Sequence, residues 1–133
     1  MPNTSFLVAL HNTTDAHHAA ARAIGRDFCA GRWGRGALLE YVFLETTTVM
    51  MVRRSLDAAI DAGRTLLAAT ELDFIPCSEH FASAFDAFSG QPGTRLSFTD
   101  AAIAVFALRH AAGHVLSFDR EFAKRPGLDL WPE

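Results

Sequence analysis

Glu45, Asp100 and Asp119 are the side chains whose type and placement could do chemistry. Glu45 follows an apolar run ending at Phe43 and opens a helical stretch. Asp119 directly follows the apolar run His114–Phe118, and Asp100 sits in the first turn of a helical stretch starting at Thr99. Open parallel sheets bind ligands outside the carboxyl ends of their strands. The N-terminus of a helix in a right-handed crossover faces the same edge, so the three acids map to one place. Carboxylates gathered there repel one another, and a divalent cation is the usual relief. Oxygen-rich sites suit Mg²⁺ or Mn²⁺, and such ions activate water and stabilise a phosphoryl transition state. Arg120, beside Asp119, is placed to meet a substrate near that ion. Each acid also has a purely structural reading. Ser97 and Asp100 fit a capping arrangement, Glu45 can favour the start of its own helix, and Asp119 can begin a turn.

The elements that must carry these acids are legible in the apolar spacing. Helical stretches are expected at Asp15–Cys29, Glu45–Ala69, Glu79–Phe88 and Thr99–Ala112. Asp15 suits the N-cap of the first, and Gly31, Gly34 and Gly36 interrupt the pattern after it. The second should divide near Arg54-Ser55, where Ser55 can cap a new helix favoured by Asp57. Phe81, Phe85 and Phe88 recur at helical spacing and read as a core-facing stripe. Gly113 ends the last long helix. Runs of strand length lie at Ala37–Phe43, Leu72–Pro76, His114–Phe118 and Leu128–Trp131. Phe6–Leu10 fits a buried strand or a buried helical turn equally well. Strands alternating with helices imply a three-layer α/β/α domain around a mainly parallel sheet.

The chain has 133 residues, a length that suits one domain spanning 1–133. With 50% hydrophobic and 20% charged residues, disorder is excluded as its main state. No apolar run approaches the roughly 20 residues of a membrane span, and the N-terminus lacks the pattern of a secretory signal. A cytoplasmic location is therefore expected, with Cys29 and Cys77 as free thiols. The net charge of −3 argues against broad coating of nucleic acid but leaves room for a local basic groove. All 12 basic residues except Lys124 are arginine, which fits either genome base composition or bidentate phosphate recognition. His110 and His114 are four apart, but Gly113 breaks the helix between them and the pattern of a zinc helix is incomplete. His17 and His18 read as capping or solvent-facing, and Arg53 and Arg54 as a solvated helix face that could instead grip phosphate. Gly31–Gly36 reads as a connecting loop whose arginines and Trp33 could instead meet RNA.

Four motifs in order carry a resemblance. Asn3-Thr4-Ser5 with its apolar run and Asp15-Ala16-His17-His18, Tyr41–Thr46, Leu96–Ala101 and Ser117–Phe122 are similar to the successive motifs of PIN-domain ribonucleases. The chain most resembles the VapC-type toxins of prokaryotic toxin–antitoxin pairs. The resemblance implies a PIN-like fold with a mainly parallel sheet of four to five strands. It implies an acidic Mg²⁺ or Mn²⁺ site that hydrolyses RNA phosphodiesters. Glu45, Asp100 and Asp119 take the family's acidic positions, Ser5 its small polar position, and Thr99 a supporting place beside Asp100. A homodimer and an antitoxin that covers the site are implied as well.

Two departures qualify that expectation. Asn3 stands where the family has its first acid, keeping the shape and an oxygen but losing the charge, so it is expected to be a weakened fourth ligand. Only Met1 and Pro2 precede it, too few for a first strand of ~5 residues. The alternative reading is a catalytically impaired module that binds RNA or protein.

Overall fold

The computed structural model describes residues 1–133. It holds six α-helices: α1 (Thr4–His11), α2 (His18–Cys29), α3 (Glu40–Arg53), α4 (Leu56–Ala68), α5 (Phe81–Ser89) and α6 (Phe98–His110). Four short strands complete it: β1 (Gly36–Leu39), β2 (Leu72–Ile75), β3 (His114–Leu116) and β4 (Asp129–Trp131). Every strand pair is parallel, β1 with β2 and β3 with β4. All four residues of β1 are buried, as expected of a parallel strand covered on both faces.

The expected continuous sheet is instead split into two parallel pairs. The reason lies at the N-terminus. Met1–Asn3 runs beside β3, where Leu116 donates its N–H to Met1 (2.9 Å) and accepts from Asn3 (3.0 Å). This segment makes one isolated bridge, Pro2 to Leu116, in the place of a full strand. Pro2 has no N–H to extend the ladder toward a second neighbour.

Phe6–Leu10, ambiguous in sequence, is helical. Phe6, Leu7, Val8 and Ala9 are all buried in α1, and a helix apolar all round belongs inside a fold. The expected strand Ala37–Phe43 is overruled halfway. Extended backbone stops at Leu39, and α3 starts at Glu40, whose carboxylate accepts from the Cys77 N–H (2.8 Å). Val42, Thr46 and Met50 then recur every four residues as the buried stripe of α3, so tertiary burial overrides local β-propensity. The division near Arg54 occurs, with the Ser55 hydroxyl accepting from Ala58 N–H (3.0 Å) at the start of α4.

The phenylalanine stripe is a correction. Phe81, Phe85 and Phe88 are 58%, 52% and 39% exposed, and Ala84 is the buried residue of α5. The small face of that helix packs inward because α6 presents a close-packed alanine-rich surface, with Ala101, Ala102, Ala104 and Ala107 all buried. Asp15 is also not the N-cap of α2. Its carboxylate accepts from His17 N–H (2.8 Å) in the turn that precedes the helix. Cys29 and Cys77 are both free thiols, the first exposed and the second buried.

α6 ends through two left-handed residues, Ala112 (φ 50°) and Gly113 (φ 84°). A β-carbon on Gly113 would come 2.2 Å from the Gly127 carbonyl oxygen. Gly113→Ala should therefore cost at least ~2 kcal/mol through conformation and clash together. Urea unfolding measures this, and an unchanged midpoint would mean that the 127 turn gives way freely.

Candidate active site

Asn3 joins the N-terminal segment to α1, and its side chain caps that helix. Its Oδ1 accepts from Phe6 N–H (3.1 Å) and from the Ser5 hydroxyl (2.8 Å). Both partners donate, so the amide oxygen must face the helix. The NH₂ group is left toward Asp100 and donates to its Oδ1 at 3.4 Å. This differs from the expectation for Asn3 as an oxygen ligand, because its oxygen is already committed to the cap.

Ser5 continues the network. Its Oγ accepts from Phe118 N–H (3.1 Å) and lies 3.3 Å from the Ser117 Oγ. Ser117, fully buried, accepts from Asp119 N–H (2.9 Å), and Asp119 Oδ1 accepts in turn from Glu121 N–H (2.9 Å). Asp119 thus heads the short 3₁₀ turn Arg120–Lys124 right after β3. Asp100 is held in the first turn of α6, where its N–H donates to the capping Ser97 hydroxyl (3.1 Å). Glu45 projects from the second turn of α3, and its carboxylate forms no ion pair.

Asn3, Ser5, Glu45, Asp100 and Asp119 line one cavity of about 450 Å³. Burial pushes the Asp100 carboxyl up to about 6, opposed by the Asn3 amide and supported by the nearby charges of Glu45 and Asp119. The carboxylates therefore feel one another. They do not close on a single point, and no three His, Cys, Asp or Glu side chains converge into a ready metal cage. The donor set nonetheless fits a hard divalent cation. It offers three carboxylates and the Thr4 hydroxyl, a buried group on the cavity wall with no hydrogen-bond partner.

Two expected participants lie elsewhere. Arg120 is exposed, and its Nη1 donates to the Pro132 carbonyl (3.0 Å), away from the cavity wall. Thr99 sits next to Asp100 on α6 but does not line the cavity. His114 pairs with Asp129 (2.9 Å) rather than with His110. Arg32 and Arg35 of the glycine-rich loop are taken up by Asp27 and Asp73. Conversely, the cavity wall includes Asp15, read from sequence as a helix cap, His17, read as capping or solvent-facing, and Arg53, read as a solvated helix face or a phosphate grip. Ser117 was missed too, although a serine two residues before Asp119 is a recognisable turn signal.

The sequence profile of the PIN domain matches residues 1–128. The chain belongs to the PIN domain family. Its fold superposes on the crystal structure of Mycobacterium tuberculosis VapC20, described as a sarcin-ricin loop cleaving toxin, with a TM-score of 0.82. The two are 22% identical over 96% of this chain and 95% of that one, a likeness of fold. Comparison with curated proteins gives no match. In this PIN domain, Glu45, Asp100 and Asp119 line one cavity with Asn3, whose amide turns its nitrogen to Asp100.

Proposed function

We propose that this PIN domain is a metal-dependent endoribonuclease and the toxin of a type II toxin–antitoxin pair, using Mg²⁺ or Mn²⁺. The observation that carries this reading is the shared cavity of Glu45, Asp100 and Asp119, whose mutual repulsion contributes to the raised pKa of Asp100. Glu45, Asp100 and Asp119 would hold the ion. When bound, it supplies charge stabilisation at a phosphoryl group and makes water a stronger acid. The protein's own part is positioning. Ser97 and Asn3 fix Asp100, Ser117 and the Glu121 backbone fix Asp119, and Glu45 is free to turn toward the ligand. The reaction is hydrolysis, in which water adds to phosphorus as the bond to the leaving ribose oxygen breaks. Support for an RNA substrate comes from the VapC20 likeness and the order of the four motifs.

A protein partner fits the surface. Leu44, Val52, Leu56 and Leu67 on α3 and α4 are 55–76% exposed, and Leu56 and Leu67 line one largely apolar groove with Met51 and Ile60. We read them as contacts for a second copy or for the antitoxin. No helix is long and apolar enough to cross a membrane. A cytoplasmic location is part of this proposal.

The experiment is cleavage of total RNA with Mn²⁺, with Mg²⁺ and with EDTA. Metal-dependent fragments that EDTA removes support the proposal. One observation favours the second reading, a catalytically impaired module that binds RNA or protein. The Asn3 NH₂ stands where a fourth carboxylate oxygen would meet a cation. Folded protein that binds RNA in a gel shift yet never cleaves it would select that reading.

A further inference from the structure

Beside the acids, an aromatic column rises from the core to the rim of the cavity. Phe6, 2% exposed, stacks on Phe118 with ring centroids 6.1 Å apart. Phe118 then stacks on His17 at 4.2 Å with the rings only 9° from parallel. His17 is exposed, so its outer face is open. Its backbone is held in place, because the main-chain N–H of His17 donates to the Asp15 carboxylate (2.8 Å) and the ring of its neighbour His18 is bonded to the Ala9 carbonyl (2.7 Å). Arg53 lines the same cavity, exposed and engaged in no ion pair although four carboxylates, those of Asp15, Glu45, Asp100 and Asp119, line the wall with it. Arg32, Arg35 and Lys124, by contrast, are paired with carboxylates.

We propose that the open face of His17 is a nucleobase subsite and that Arg53 holds a backbone phosphate of the same single strand, both within the cavity that the acids line. This rests on the reading of the cavity as an RNA-cleaving site and adds how that site grips its substrate. Every base has a face that stacks on an aromatic ring, and a ring already stacked on Phe118 loses little freedom on binding. A guanidinium without a carboxylate partner is ready for phosphate. The placement answers a difficulty in the charge, since a chain of net charge −3 must attract an anionic strand locally rather than overall.

The test uses the full chain in EDTA, where metal-dependent cleavage is stopped, and a fluorescein-labelled single-stranded RNA followed by anisotropy. His17→Ala should weaken binding roughly 5- to 100-fold, the range for loss of one stacked base. His17→Phe should restore it to within about 2-fold, because it keeps the ring and removes the imidazole nitrogens. Arg53→Ala should reduce the salt dependence of binding by about 0.7 in the log–log slope, the value of one single-strand phosphate. Both side chains are exposed, so unfolding midpoints serve as a control for intact structure. Wild type that binds and cleaves RNA while His17→Ala binds equally well overturns the subsite alone. Equal losses in His17→Ala and His17→Phe overturn stacking in favour of a hydrogen bond from the imidazole. A wild type that neither binds nor cleaves RNA overturns the underlying function, and the subsite with it.

Discussion

Asp100→Asn should lower RNA cleavage by on the order of 10³-fold and, at the same time, make the metal-free fold more stable at neutral pH. The loss of activity follows from removing one of three carboxylates, at several kcal/mol of charge stabilisation and about 1.4 kcal/mol per tenfold in rate. The gain in stability follows from the raised pKa. Burial, with Glu45 and Asp119 nearby, lifts the folded-state value to about 6. In the unfolded chain an aspartate titrates near ~3.9. The folded state therefore binds the proton more tightly. The stability this carboxyl contributes is fully present below ~4 and is lost as pH rises through about 6. At neutral pH the wild type carries an ionised group that it would rather keep neutral. The amide has no such titration and can still accept from Asn3, so the variant should gain roughly 1–3 kcal/mol there and nothing near ~pH 4. The Met1 amine, which burial lowers to about 6, works in the opposite direction, destabilising the fold as pH falls. It is common to both proteins and cancels in their difference. Urea unfolding in EDTA at the two pH values measures the effect. A variant less stable than wild type at neutral pH would show that hydrogen bonds to Asp100 outweigh its desolvation.

Asn3→Asp should exchange stability for cation affinity. The cap of α1 survives, because one carboxylate oxygen can accept from Phe6 N–H and Ser5 as the amide oxygen does now. A negative cap also suits the helix N-terminus. The other oxygen replaces the NH₂ that donates to Asp100, turning an attraction at 3.4 Å into a repulsion. Without metal, the variant should lose about 1–2 kcal/mol at neutral pH, by the cost of setting like charges together in a partly buried site. With Mn²⁺ the order reverses. A fourth carboxylate beside Glu45, Asp100 and Asp119 should tighten binding roughly 10- to 100-fold, at about 1.4 kcal/mol per tenfold. Thermal unfolding across a Mn²⁺ titration reads both halves. Cleavage should rise with ion affinity. Identical Mn²⁺ dependence in the two proteins would mean that residue 3 plays no part in holding the ion.

The order of elements was legible because burial leaves a periodic trace. Asp100 and Ser97 could be read as a cap, Ser55 as the start of a helix, and Gly113 as its end, since each depends on neighbours within a turn. Asp100 lies in the first turn of its helix as the topology rule expects, but Glu45 lines the same cavity from the second turn of α3 and not from a strand end, because β1 already stops at Leu39. Errors arose where the partner decides. Phe81, Phe85 and Phe88 have helical spacing, but spacing cannot say which face meets α6, and Ala84 won. Tyr41–Phe43 has strand propensity, but the stripe of Val42, Thr46 and Met50 buries more as helix.

Residue types and their order along the chain were thus enough for the family and for an uncharged amide at position 3. Direction was not. Which end of the Asn3 amide faces the cavity depends on a donor in the next helical turn and a hydroxyl two residues away. Arg120 turns to Pro132, while His17 and Arg53 reach a cavity that their neighbours in sequence do not foretell. A side chain's orientation is set by hydrogen bonds and packing from distant segments, and those contacts exist only once the chain has folded.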